Sequence, residues 1–324
     1  MIYIIVGSVI LGVLVLLFIL AGVIHHNIFG KRWMPNGITK YYEKEEYVGL
    51  EAKEVSFIHK NNQLRGFWYS YPLKEQKGII VFAHGMWGSH KAYLQEIEYF
   101  ANCGYQVLGF DYTGTELSDG KNIVGLGNSL ACLDSAISYV KQNYPNENIS
   151  VIGHSWGAYA AANILKYHPD INHVIAMSGF VSLSRILKGL FPKYAYIIIP
   201  FIIGIDYMHC GKYSLANSKK TLKKTTQKVL ILHSEDDTMV SYQINTKYLK
   251  KKLNMKNLQF LIVSGKNHNP DYTIDAIMYS KESFAKAKTL SGDEKISYLQ
   301  SLDYHRMGAL DSDIMSMMVR FLEK

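Results

Sequence analysis

Residues 153–157 read Gly-His-Ser-Trp-Gly and follow directly on the apolar run ISVI. A serine hydroxyl is a weak nucleophile until a neighbouring base takes its proton, and an imidazole acting as that base needs a carboxylate to fix its tautomer and support its positive charge. The flanks of Ser155 bear on whether it is such a serine or an ordinary turn residue. Glycine at 153 and 157 suits a sharp turn with no room for side chains, and AYAAANILKYH beyond it reads as a helix. Ser155 is therefore expected between a buried strand and a helix, with the positive end of the helix dipole beneath it. A GxSxG pentapeptide arises by chance; a strand before it and a helix after it point to a nucleophile.

The elements that must position this serine are legible after Gly49, where short β-rich runs alternate with amphipathic helices, the pattern of a mainly parallel sheet covered on both faces. EVSFIHK and QLRGFWYSY read as an opening antiparallel pair turned at Asn61-Asn62. GIIVFAHG (78–85) reads as a buried strand ending in a glycine turn. A helix over about 91–102, the strand YQVLGFDY and a helix over 128–143 follow, the last with Leu130, Leu133, Ile137 and Val140 at helical spacing. INHVIAMSG, KVLILHSEDDTMV and LQFLIVSGKNHNP supply three more strands, and residues 311–324 a C-terminal helix.

This order, with GHSWG at its centre, resembles the α/β-hydrolase family over about residues 54–324. The resemblance implies an α/β fold with an eight-stranded, mostly parallel sheet, helices on both faces, a helical cap insertion, and a triad in the chain order serine, acid, histidine. The acid belongs at the end of KVLILHSEDDTMV, where Asp236 and Asp237 compete and Glu235 stands third. The family's Asp-x-x-Val pattern matches Asp237 to Val240 and selects Asp237. The base belongs in the loop after the last strand, which offers His268 in GKNHNP, whereas His154 merely precedes the serine. The resemblance also implies two backbone oxyanion donors, the amides of Trp156 and of Met86 within HGMWGS. One departure stands out: where the family often has Asp-x-Arg-Gly-x-Gly-x-Ser, this chain has DYTGTELSDG, with Thr113 for the arginine and Glu116 for the second glycine. The triad does not depend on that loop, but its part in the pocket and in cap docking stays open.

Composition bounds the remainder. A chain of 324 residues that is 48% hydrophobic holds a sizeable core. Three cysteines without a CxxC pair argue against a disulfide framework and against a zinc cluster. The net charge of +8 is densest in NSKKTLKKTTQK and KYLKKKLNMK. No nucleic-acid motif or stacking platform accompanies these lysines, so they read as solvated helix faces and nucleic acid is not an expected partner. Residues 2–24 carry no charge and are long enough to cross a bilayer. They lack the basic start and the small-x-small cleavage site of a signal peptide, so the expectation is an uncleaved, single-pass anchor in the cell membrane. Lys31 and Arg32 directly after it place the remainder in the cytoplasm. His25 and His26 have no evident partner nearby and read as interfacial polar residues, not metal ligands.

The expected division is an anchor over 1–30, a linker over 31–53, and a catalytic domain over 54–324 with its cap at about 180–226. The cap's middle, GLFPKYAYIIIPFIIGIDYMHCG, is apolar and aromatic but interrupted by Lys193, Pro200 and Asp206, which disfavours a second span. An apolar cap suits an acyl or lipid-like small molecule, and the chemistry requires neither cofactor nor metal. The expected function is a serine hydrolase acting on a carboxylic ester or related acyl bond through an acyl-enzyme. An aminopeptidase-like peptidase and a thioesterase are the enzymatic alternatives, and a catalytically silent membrane-tethered binding module is the non-enzymatic one. The helical insertion after Asp271 has no role that the sequence reveals.

Overall fold

The computed structural model describes residues 1–38 and 40–324; Thr39, within the expected linker, lies outside the described residues. The chain opens with α1 (Ile2–Phe29), one continuous helix about 42 Å long at 1.5 Å per residue. Eight strands follow: β1 (Glu51–His59), β2 (Asn62–Ser70), β3 (Gly78–Ala83), β4 (Tyr105–Phe110), β5 (Ile149–His154), β6 (His173–Met177), β7 (Lys228–Ser234) and β8 (Leu258–Val263). They form one sheet in the order β1-β2-β4-β3-β5-β6-β7-β8. β2 is antiparallel to both its neighbours, and every other pairing is parallel. The opening hairpin turns at Lys60-Asn61, one residue earlier than expected: Asn62 already pairs with His59, and Lys60 adopts the left-handed conformation at φ 53°.

Strands buried on both faces read as unbroken apolar runs, and their side chains alternate between two cores. Ile79, Val81, Val151, Val174 and Ile231 face α3 (Asn128–Asn143), α4 (Trp156–Ile164) and the cap. Ile80, Phe82, Ile152, Ile175 and Leu232 face α2 (Leu94–Asn102) and the C-terminal helix. The expected helix over 91–102 is α2 preceded by a 3-10 turn at His90–Tyr93.

The cap comprises α5 (Leu183–Leu190), a 3-10 segment Lys193–Ile198, α6 (Ile199–Cys210), a second 3-10 segment Gly211–Leu215 and α7 (Ser218–Leu222). The stretch Lys193–Leu222 is by composition apolar enough to cross a membrane, but it folds as these short pieces with one side turned into the core. After β7 comes α8 (Thr246–Lys252). Beyond β8 the insertion after Asp271 forms α9 (Ile274–Ala287), α10 (Gly292–Gln300) and α11 (Tyr304–Met307), and the chain ends in α12 (Ser312–Leu322).

Two features of the first 50 residues were not legible in the sequence. The last two turns of α1 dock on the cap: Ala21, His25 and Phe29 are buried, and α1 packs against α6. His25 thus has a partner after all, 181 positions away, since its Nε2 lies 3.2 Å from Asp206 Oδ1. The segment after α1 is strapped to the loop that departs from the family pattern. Trp33 N–H donates to Gly114 O (2.9 Å), Glu116 N–H donates to Trp33 O (3.1 Å), and Arg32 reaches the carbonyls of Gly120 (2.8 Å) and Glu116. The DYTGTELSDG loop is therefore the seat on which the segment after α1 rests.

Candidate active site

The strand order reverses between β3 and β5: the chain leaves β3 toward β4 and leaves β5 toward β6 on the other side. In open parallel sheets such a switch point, at the carboxyl ends of the strands, opens a crevice. Ser155 stands there, directly after β5 and directly before α4. Its backbone is held at φ 56°, ψ −111°, a conformation that costs a non-glycine residue about 1–3 kcal/mol and persists only where the surroundings enforce it. The surroundings are tight. A Cβ on Gly153 would lie 2.4 Å from Gly157 O, and one on Gly157 would lie 1.9 Å from Ala83 O, so both flanking positions exclude any side chain. Trp156 is the first residue of α4, where backbone amides have no intrahelical acceptor.

Asp237 and His268 come together from two neighbouring loops, after β7 and β8. Their contact, His268 Nδ1 to Asp237 Oδ2, is 2.8 Å, and the Asp237 carboxylate is fully buried. The same oxygen receives His233 Nε2 at 3.0 Å, while Oδ1 accepts the amides of Met239 and Val240, each at 2.8 Å. Burial alone would raise this carboxyl, but the bonds from His233 and His268 outweigh it and hold it well below the usual carboxylate range. Asp236 faces elsewhere. It accepts Ser234 Oγ–H (2.5 Å) and the amides of Gly265 (2.9 Å) and Asn267 (3.3 Å), shaping the turn before His268 without touching the imidazole. Glu235 is further removed, with a 3.3 Å bond from Ser264 Oγ.

With Nδ1 facing Asp237, the His268 Nε2 is the nitrogen left for a substrate or a serine. The link from this loop to the elbow runs through His154. Its Nε2 contacts the carbonyl of His268 at 2.9 Å, and the two rings lie 4.8 Å apart. A carbonyl can only accept, so Nε2 carries the proton and Nδ1 accepts from Tyr93 Oη–H at 2.8 Å. Burial lowers the His154 imidazole to about 3, keeping it neutral and the tautomer fixed. The Tyr93 oxygen in turn accepts the Gly85 amide at 3.0 Å. A Cβ on Gly85 would lie 3.6 Å from Ser155 Cβ, so the loop carrying Met86 runs directly over the serine. Tyr93 and His154 thus tie the three loops of the site to one another.

Sequence reasoning missed four residues here. His233 shares the buried carboxylate, and its location inside a strand gave no sign of this. Tyr93 was read as part of a helix. His154 was set aside as the residue before the serine. Asn267 adopts φ 48°, a conformation asparagine tolerates, and its Oδ1 accepts both the amide and the hydroxyl of Thr238 at 3.0 Å, locking the acid loop to the histidine loop. The Asn267-His268 dipeptide was the available signal for the last.

Further out, Trp156 Nε1–H donates to Leu126 O at 2.7 Å, and the amides of Leu126 and Gly127 donate to the buried Asp206 carboxylate at 2.6 and 3.2 Å. Behind the Met86 loop, Asp111 accepts the His90 amide (3.0 Å) and contacts His90 Nδ1 (2.8 Å), fixing the start of the 3-10 turn. The 271–310 insertion and the linker flank a cavity of about 280 Å³ lined by Tyr41, Tyr42, Gln95, Tyr272, Leu299 and Leu302, among others, which gives that insertion a place beside the His268 loop.

Comparison with known proteins bears on the fold. The sequence model of a family described as serine aminopeptidase, S33, matches residues 74–202, a stretch that includes Met86, Ser155 and Trp156 and ends before Asp237 and His268. A lysophosphatidylserine lipase ABHD12 from Danio rerio is 26% identical over 212 residues, 60% of this chain and 53% of that protein. The chain spans about half the length of the curated relatives it matches. Among solved structures, an esterase of Pyrococcus furiosus superposes with a TM-score of 0.57 at 20% identity, covering 80% of this chain and 97% of that one. Est1E from Butyrivibrio proteoclasticus, solved with ferulic acid bound, gives 0.56 at 18% identity over 72% of this chain and 99% of its own. At these identities the structures speak to the fold, and that fold is the α/β-hydrolase one.

Proposed function

We propose that the protein is a membrane-anchored serine hydrolase that cleaves a carboxylic ester of a lipid-like substrate through an acyl-enzyme on Ser155. His268 is the base, Asp237 orients it, and the amides of Trp156 and Met86 receive the oxyanion. The observation that carries this reading is the buried 2.8 Å Asp237–His268 pair, tied by His154 to a serine in strained backbone geometry. In the forward step Ser155 Oγ attacks the substrate carbonyl carbon as its proton passes to His268 Nε2, and the tetrahedral oxyanion is met by the two amides. The imidazolium then protonates the leaving alcohol. Water, activated by the same nitrogen, hydrolyses the acyl-enzyme and returns the proton to Ser155. Asp237 remains ionised throughout, as its depressed affinity for a proton supports.

The substrate class rests on the apolar cap and on the relative named as a lysophosphatidylserine lipase. In this reading residues 1–30 anchor the chain in the cell membrane, 31–53 link it, and 54–324 with a cap at about 180–226 form the hydrolase domain. Lys31 and Arg32 hold that domain on the cytoplasmic side.

Fluorophosphonate labelling of the full chain in detergent tests the nucleophile. Wild type is expected to label and Ser155→Ala is not; equal labelling of both, or a folded wild type that does not label, would overturn the reading. The family's description as serine aminopeptidases favours a second reading, peptide cleavage. Matched panels of acyl esters and aminoacyl arylamides decide it, with preference for the arylamides refuting the ester assignment.

A further inference from the structure

The cap carries an apolar surface that the catalytic chemistry does not use. Leu190 at the end of α5 is 61% exposed, Tyr194 is 85% exposed, and Ile197 and Met208 are each 63% exposed. Along the 3-10 segment and α6, residues 197, 200, 204 and 207/208 recur every three to four positions and all face outward, while Ile198, Ile199, Ile202 and Ile205 turn into the core. From Tyr194 to Ile205 there is no charged residue, so both sides of this helical stretch are apolar and only one is covered by protein. A soluble surface rarely presents such a contiguous face without a partner.

The location of the face indicates the partner. α6 packs against the last two turns of α1, and a Cβ on Gly22 would meet Ile205 Cδ1 at 3.7 Å. Residues 2–20 of α1 include no buried side chain and span about 28 Å, close to the roughly 30 Å hydrocarbon core of a bilayer. A membrane around that part ends beside the cap, which α1 meets along both α6 and the 3-10 segment Lys193–Ile198. The cap's outward face therefore continues the lipid-facing surface of α1. Lys188 and Lys193 flank the apolar positions and are exposed, as expected of side chains reaching anionic headgroups from an interfacial helix.

We propose that this face of the cap, centred on Tyr194 and Ile197, is a second, non-spanning contact with the bilayer, immersed in the headgroup and upper acyl region of the leaflet from which α1 emerges. The proposal rests on the reading of α1 as a membrane anchor. It places the cap where an ester-bearing lipid can pass from the leaflet toward the site without crossing water.

The test uses the full chain in vesicles of phosphatidylcholine and phosphatidylglycerol carrying shallow nitroxide-labelled lipids, with half-buried Cys103 replaced by serine and one fluorophore per protein on Leu11→Cys, Tyr194→Cys, Ile197→Cys or Leu73→Cys. Leu73 is fully exposed in the loop before β3, at the end of the sheet opposite the elbow, and serves as the dry control. Quenching at 194 and 197 with none at 73 supports the proposal. Quenching at 11 but not at 194 or 197 overturns it and leaves the anchor standing, whereas loss at 11, 194 and 197 together overturns both. As a functional check, Tyr194→Asp with Ile197→Asp should lower turnover of a vesicle-borne long-chain ester about tenfold or more while a soluble short-chain ester stays within about twofold. An equal fall for both esters would mean that the residues only support the cap's fold, and the proposal would fail.

Discussion

Replacing Asp237 by asparagine isolates the role of the buried carboxylate, because the side chain keeps its shape and the two backbone bonds to Oδ1 can survive. What changes is the charge and one face of the hydrogen bonding. Asp237 Oδ2 faces two imidazole nitrogens, at 2.8 Å from His268 and 3.0 Å from His233. An amide NH₂ at that position would donate to His268 Nδ1, leaving the proton on Nε2, where the imidazole can no longer accept one from Ser155. The imidazolium formed in the transition state would also lose its counter-ion in a buried setting. A wrong tautomer of this kind lowers kcat by about 10⁴, equivalent to about 5 kcal/mol at 1.36 kcal/mol per tenfold. Asp236→Asn is the contrast, since its carboxylate serves the Ser264–Asn267 turn and not the imidazole; a loss of no more than about tenfold is expected, from loosened positioning. Steady-state hydrolysis of a soluble short-chain ester separates the two, with KM nearly unchanged for Asp237→Asn. If Asp236→Asn were the more damaging, or if Asp237→Asn kept more than about a tenth of the wild-type kcat, the assignment of the acid would be wrong.

Other expectations are more local. Gly157→Ala drives a Cβ to 1.9 Å from Ala83 O, a clash with backbone at the end of β3, and should cost about 4 kcal/mol or more in stability, read as a large fall in Tm; Gly189→Ala, whose Cβ would meet Ile244 Cδ1 at an ordinary contact distance of 3.5 Å, should change Tm little. Tyr93→Phe leaves the Gly85 amide and His154 Nδ1 without partners and should cost about 1–3 kcal/mol for each buried group, with kcat reduced as the Met86 loop loosens; an unchanged Tm would refute the three-loop tie. Burial lifts the Asp271 carboxyl from 3.8 to about 6, so the native state holds a proton that the unfolded chain releases between those values. This contribution to stability is complete below pH 3.8 and is lost as pH rises through 6. Asp271→Asn should therefore gain about 3 kcal/mol relative to wild type at pH 8 but little at pH 4, measured by denaturant unfolding at both pH values.

The sheet and the elbow were legible because both rest on local rules. Apolar runs of strand length and glycines at 153 and 157 each constrain a few neighbouring residues, and parallel strands buried on both faces leave an unbroken apolar trace, whereas the choice of Asp237 came from the resemblance to a family pattern. The unseen half of the site depends on contacts between distant segments. Asp237 meets His233 four positions earlier in the chain, but only because the strand ends at Ser234 and the loop folds back. His154 meets Tyr93 and His268, at separations of 61 and 114 residues, and no periodicity encodes such a meeting. The same holds for His25 and Asp206. Read alone, the first is a polar residue at the end of a span and the second an interruption of an apolar run; only the docking of α1 on the cap makes them partners.

That docking also limits how the cap can open. Asp206 is buried, and its carboxylate is shared by His25 of α1 and by the amides of Leu126 and Gly127. Leu126 in turn holds the indole of Trp156, the residue whose amide the proposed oxyanion site uses. A movement that lifted α6 away would leave a buried carboxylate and two buried amides unpaired, at about 1–3 kcal/mol for each neutral group and more for the charge. It would also release Trp156 at the moment substrate arrives. The other side of the insertion makes none of these bonds; α5 is tied instead to α8 and the segment before it, where Arg185 donates to Ile244 O and lies over the Tyr248 ring. α6 is then a fixed post that joins α1, through Asp206, Leu126 and Trp156, to the elbow at Ser155.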